Sequence, residues 1–183
     1  FNGNALEPAS LPTTGEEPPS GGSAARDLVL VTDDSGRISV QVPSSWSDVD
    51  GRQTTDSLGN TVYDVTVSRD VGAFYRGWAE SGVSVSASSD ALSNRSVADI
   101  LAEEADAPLS AGCTLVDDGE PYVDALYTGA YDWWTDCAGI GTDYVVIAAE
   151  ADDGTHMIWV RVQMAAGDGW VLEPIRGSFQ AEF

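Results

Sequence analysis

From residue 27 onward, apolar residues alternate with polar ones more often than they recur at helical spacing. Leu28 to Val31 is a continuous apolar run, Asp33-Asp34-Ser35-Gly36 is turn-forming, and Ile38, Val40 and Val42 then alternate with Ser39 and Gln41 until Pro43. This pattern predicts a β-hairpin. After a loop through Trp46-Ser47-Asp48, Tyr63, Val65 and Val67 alternate with Asp64 and Thr66, which predicts a third strand. Val71, Phe74, Tyr75 and Trp78 fall at i, i+3, i+4 and i+7, on one face of a helix that Gly82 ends. Val83, Val85 and Ala87, separated by serines, predict a short strand.

Ser96-Val97-Ala98-Asp99 has the form of a capping box, and Val97, Ile100, Leu101 and Ala105 continue it at helical spacing, so a second helix is expected to end before Pro108. Strands follow: Cys113 to Val116, a turn at Asp117-Asp118-Gly119, then Ala125 to Trp134, Asp143 to Ala151 and His156 to Met164. The run Tyr144 to Ala149 lacks polar alternation, as expected of a central strand buried on both faces. Trp170, Val171, Leu172, Ile175 and Phe179 suggest a terminal helix, kinked by Pro174. The order of elements predicts an α+β fold, an antiparallel sheet with helices on both faces.

Residues 1–26 hold half of the prolines and no periodic apolar face, so they read as a flexible Pro/Gly/Ser-rich linker or tail, leaving a single domain over 27–183. The first residue is Phe1 rather than Met, which predicts a processed or excised chain with a signal peptide or anchor upstream. Leu11-Pro12-Thr13-Thr14-Gly15 matches a sortase pattern, but Glu16-Glu17-Pro18-Pro19 follows where an apolar segment is required.

Charge narrows the partners. The chain carries 30 acidic and 8 basic side chains, all of the latter arginine, for a net charge of −22. Such a surface repels phosphate backbones and anionic membranes, which argues against nucleic-acid binding. Membrane insertion by this segment is not expected either, because no apolar run approaches the roughly 18 residues a spanning helix needs. The expected partner is a protein or small ligand.

The catalytic inventory is sparse. His156, Cys113 and Cys137 are the only His and Cys residues and lack zinc-ligand spacing, so no metal site or cofactor is expected. Neither a GxSxG elbow nor a P-loop is present, and His156 reads as a structural residue at the start of a strand. Asp33-Asp34, Asp117-Asp118 and Asp152-Asp153 each precede a glycine, which turn geometry explains better than calcium binding. The two cysteines could be free buried thiols, but their even count in an acidic, lysine-free chain favours a disulfide and an oxidising compartment. Among the aromatic residues of the 122–134 region, Tyr131, Trp133 and Trp134 form the candidate contact surface. The adjacent tryptophans must point to opposite faces of their strand.

Two segments carry a resemblance. Val31-Thr32-Asp33-Asp34-Ser35-Gly36-Arg37-Ile38-Ser39-Val40-Gln41-Val42-Pro43, continuing to Gly51, resembles the opening of extracytoplasmic actinobacterial domains related to the PsbP-like α/β/α sandwich, named for an extrinsic photosystem II subunit. Tyr127 to Cys137, with Cys113 upstream, is similar to the two-cysteine stretch of that group. Gln53-Thr54-Thr55 and Pro174 depart from its pattern. The resemblance implies a secreted or envelope-tethered domain, non-catalytic, sometimes appended to a trypsin-like serine protease. The alternatives are an accessory domain of such a protease and a hydrolase working through paired carboxylates.

The excess of acids makes one prediction. Repulsion among carboxylates raises their pKa in the folded state, so the folded chain binds more protons than the unfolded one and gains stability as pH falls from neutral toward the carboxylate range. Thermal melts at low ionic strength should give a higher midpoint near pH 5 than near pH 7.5, and added salt should narrow the gap.

Overall fold

The computed structural model describes residues 27–183, so the linker expected at 1–26 lies outside the described residues. The strands are β1 (Leu28–Thr32), β2 (Ile38–Pro43), β3 (Asp48–Thr55), β4 (Thr61–Ser68), β5 (Gly82–Ser88), β6 (Thr114–Val123), β7 (Tyr127–Cys137), β8 (Thr142–Ala151), β9 (Met157–Met164) and β10 (Gln180–Ala181). The helices are α1 (Val71–Arg76), α2 (Val97–Glu104), α3 (Asp106–Ser110) and α4 (Leu172–Arg176). The strands form two antiparallel sheets, a small one ordered β1-β2-β10 and a large one ordered β3-β4-β5-β9-β8-β7-β6.

This overturns the expected sandwich with helices on both faces. The β1–β2 hairpin does not join the large sheet. Its buried residues Ile38, Val40 and Val42 share a core with Val65, Val67, Val83 and Val85 of β4 and β5, so a second sheet covers that face. The terminal segment contributes only a 3-10 turn at Gly169–Val171, the five-residue α4, and β10, which pairs Gln180 with Ser39 on the free edge of β2. Pro174 sits in the first turn of α4, where a helix needs no N–H donor, and so is accommodated without a kink. The helices are short throughout, and a mostly β architecture results.

The opposite face of the large sheet is covered over β7 and β8 by α2. Ser96 caps α2 with the expected capping box, its side chain and that of Asp99 each bonding to the other's backbone N–H. Ile100 and Leu101 pack there against Trp134, Val146, Ala148 and Trp159. Strand parity divides the two cores. Val145, Ile147 and Ala149 face the small sheet while Tyr144, Val146 and Ala148 face α2, so β8 is buried on both sides as its composition predicts.

Three local expectations change. α1 stops at Arg76, capped by Gly77, so Trp78 lies in the following loop. Asp117-Asp118-Gly119 does not end a strand; it is an irregularity inside β6, where the register to β7 shifts between Leu115 and Asp117 and again before Glu120. β3 has only Val49 as a large apolar residue and lies at an edge, which explains why hydrophobic alternation does not reveal it. The cysteines form a disulfide that ties the start of β6 to the end of β7. On the loop-entropy estimate, closing this loop stabilises by about 3 kcal/mol. Turn aspartates are anchored locally. Burial pushes the Asp33 carboxyl up, but hydrogen bonds from Ile38 and Ser35 outweigh it and hold the group below its usual range.

Gly129 of β7 is required by its neighbour. A Cβ there would stand 2.1 Å from the Ala148 carbonyl oxygen and 2.5 Å from Ala149 Cα, both backbone atoms of β8. Gly129→Ala should therefore destabilise the fold by about 3 kcal/mol or more in urea titrations, since neither strand can yield without breaking the ladder.

Candidate functional site

The half of the large sheet not covered by α2 carries polar side chains on a buried surface. Asp64, Thr66 and Ser68 of β4, Ser84, Ser86 and Ser88 of β5, and Arg161 and Gln163 of β9 share one strand parity and so face the same side. Cross-strand pairing aligns Thr66, Ser84, Arg161 and Val146 in one row, with Ser68, Gly82, Gln163 and Tyr144 in the next. Thr66, Ser68 and Ser84 are fully buried. Alternation in each strand is visible in the sequence, but a Ser/Thr-rich face ordinarily points to water. Only the pairing of three distant strands shows that this one is enclosed.

Arg161 organises the face. Its Nη2 donates to Ser84 Oγ at 2.7 Å, Ser86 Oγ at 3.1 Å and Asp64 Oδ2 at 3.3 Å. Ser86 Oγ also donates to Asp64 Oδ2 at 2.5 Å, and Thr66 Oγ1 donates to Asp64 Oδ1 at 3.1 Å. Asp64 thus sits behind the guanidinium, saturated by hydroxyls. On the other side, Arg161 Nη1 lies 3.7 Å from Glu104 Oε1, the last residue of α2. Arg161 Nε is buried and has no hydrogen-bond partner among the described residues.

Arg161, Glu104 and Gln163 open into a cavity of about 310 Å³ whose walls include Tyr75, Trp78 and Tyr144. The Trp78 and Tyr144 rings meet edge to face, 5.3 Å between centroids. The loop carrying Trp78 is pinned by its carbonyls. Gln163 Nε2 donates to Gly77 O at 3.0 Å and Glu80 O at 2.7 Å, Thr142 Oγ1 to Trp78 O at 2.7 Å, and Ser68 Oγ to Ser81 O at 2.9 Å. Arg69 further bridges Glu80 and Asp168. On the helix side, the Tyr75 hydroxyl is 2.6 Å from Thr66 Oγ1. Phe74 packs so closely over Gly82 that a Cβ there would lie 2.6 Å from its ring. The cavity is therefore preformed rather than a gap between mobile loops.

Electrostatics follow from burial. Burial pushes the Glu104 carboxyl above the usual carboxylate range, with the Arg161 charge opposing it only in part. Burial likewise raises Tyr144, and the Glu104 charge adds to this. For Arg161, burial works against the cation, but Glu104, Tyr144 and Asp64 outweigh it and keep the guanidinium protonated. Glu104 is also poorly placed for its helix, because a negative charge at a C-terminus opposes the helix dipole.

The residues singled out from the sequence lie elsewhere. Tyr131 and Trp133 face the small sheet, where with Tyr122, Leu172 and Arg176 they line a depression of about 40 Å³. Trp134 points to the opposite face and is buried among the residues under α2. The three do not form one surface. His156 is buried at the start of β9, stacked on Phe183 and bonded through Nδ1 to the Thr155 hydroxyl at 2.8 Å. Among the described residues, no group of three or more His, Cys, Asp and Glu side chains is arranged to hold a metal ion, and no helix is long and apolar enough to cross a membrane. The disulfide is compatible with a place outside the cytoplasm. No protein-family model matches the chain, and no curated protein matches it.

The raised Glu104 carries a sign that can be checked. Its folded-state pKa exceeds the unfolded value, so the ionised form destabilises the native state at neutral pH and that penalty disappears as pH falls below the unfolded value. Glu104→Gln should raise the melting midpoint at pH 7.5, with the gain fading toward about pH 4.

Proposed function

We propose that the chain is a non-catalytic binding or accessory domain working outside the cytoplasm, tethered to the cell envelope or to a larger secreted protein, with the Arg161 cavity as its ligand site. The observation that carries this reading is the cavity itself. An aromatic-walled hollow is held open by a loop with four tied carbonyls, and a half-buried guanidinium and a half-buried carboxyl stand at its base. Such convergence of apolar walls with a few placed polar groups is the ordinary character of a ligand pocket. The disulfide supports the compartment.

The arrangement favours binding over hydrolysis. A glycosidase-type mechanism needs two carboxyl groups facing the substrate from either side. Here Glu104 lines the cavity, whereas Asp64 is behind Arg161 with its oxygens taken by Ser86 and Thr66.

A fragment mixture of indole, benzamide and small carboxylates, followed by amide and indole NMR, should shift signals of Trp78, Tyr144 and Arg161 ahead of those of Trp133. An unresponsive cavity would overturn the assignment of this site. Ester, glycoside and phosphate substrates should stay at background rates, and turnover abolished by Glu104→Gln would promote the hydrolase instead.

A further inference from the structure

Resting on the reading of this cavity as a ligand site, we infer that its ligand is a neutral sugar ring, free or at the end of a glycan. The base of the cavity offers a hydrogen-bond donor and an acceptor that are not joined to each other. Arg161 Nη2 is committed to Ser84, Ser86 and Asp64. Arg161 Nη1, in contrast, has among the described residues only Glu104 Oε1 at 3.7 Å, too long for a hydrogen bond. Both residues line the cavity. A ligand that satisfies them must accept from a guanidinium and donate to a carboxyl a few ångströms away.

A charged ligand meets a like charge in doing so. An anion on Nη1 would face Glu104, and a cation on Glu104 would face Arg161; at such separations in a half-buried site this repulsion is large. A hydroxyl both donates and accepts, and neighbouring hydroxyls on one ring can serve the two groups together without adding charge. The walls complete the match. Tyr75, Trp78 and Tyr144 present aromatic surface on which the apolar C–H face of a pyranose can lie. A volume of about 310 Å³ is at the small end of ligand pockets and suits a single ring.

Arg76 also borders the cavity and is the one feature that favours an anion. Its guanidinium, however, is folded back over Gly72 on its own helix, where a Cβ would stand 2.8 Å from Nη1. A ligand sign of either kind would also have to act against or with a chain of net charge −22, whereas a neutral ring is indifferent to it.

The test is NMR titration of the full chain at about pH 6.5 with glucose, mannose, galactose and N-acetylglucosamine, each beside its reducing-end oligosaccharide, and with glucuronate and glucosamine as the anionic and cationic counterparts. At least one neutral sugar should give saturable shifts at Trp78 and Arg161, and its charged counterparts should bind about tenfold more weakly or worse. A gain for the oligosaccharide over the single ring identifies a glycan end; equal affinity identifies the free sugar. Trp78→Ala should abolish the response in a variant that is less stable but still melts in one cooperative transition. Arg161→Met exposes Asp64 to an unpaired state and is expected to unfold, so Arg161→Lys serves as the second variant and should weaken binding by about tenfold or more. Tighter binding of glucuronate or glucosamine than of every neutral sugar overturns the inference. Shifts from aromatic fragments alone overturn the sugar but leave the ligand site standing, and silence from all probes overturns both.

Discussion

One ion pair explains why half of the large sheet looks as it does. Arg161 on β9 reaches across β5 to Asp64 on β4, and it can do so because β5 presents serines at 84 and 86. Valine at either position would fill the path of the guanidinium and remove a hydroxyl that it or Asp64 needs. Taking a lone charge out of water costs several kcal/mol, and leaving either partner alone costs roughly 3–5 kcal/mol. The serines, Thr66 and Asp64 therefore belong to Arg161 as a set. Because this patch is polar, α2 settles over the apolar half formed by β7 and β8, and the unfilled space between helix and patch becomes the cavity.

The sequence shows the pieces of this arrangement but not their meeting. Val83-Ser84-Val85-Ser86-Ala87 reads correctly as a strand, as does Tyr63 to Val67. Alternation reports which residues share a side and says nothing of what covers it. Arg161 is the single charge in a strand that is apolar apart from it and Gln163, and that was the available signal. Its partners are 97 positions away at Asp64 and 57 at Glu104, separations that only the pairing order β4-β5-β9 brings together. Local rules succeeded where the answer was local: the Ser96 capping box, the Cys113–Cys137 pairing and the double burial of β8.

The architecture failed for the same reason in reverse. The opening hairpin has the alternation of any two-stranded unit, and nothing in Leu28 to Pro43 tells whether it extends a sheet or lies across one. Its place is decided by Phe179 and Ile175 at the other end of the chain, which join Val40 and Val42 in one core and carry β10 to the edge of β2. Trp133 and Trp134 illustrate the limit for sites. Parity correctly sends them to opposite faces, and each face is then covered, one by the small sheet and α4, the other by α2.

The irregular outer strand β6 has a bearing on how copies of this protein coexist. Among the described residues it is the last strand of the large sheet, its backbone unpaired on one side, and Leu115, Val116 and Val123 are exposed along it. A straight strand of that composition would template an eighth from a neighbour. The two register shifts bend it, and Asp117, Asp118 and Glu120 place negative charge where an incoming strand would have to align. That guard is electrostatic as much as geometric. Salt screens it, so the ionic strength that relieves repulsion within one molecule also lowers the barrier between molecules, and resistance to unfolding and resistance to self-association pull toward opposite ends of the salt scale.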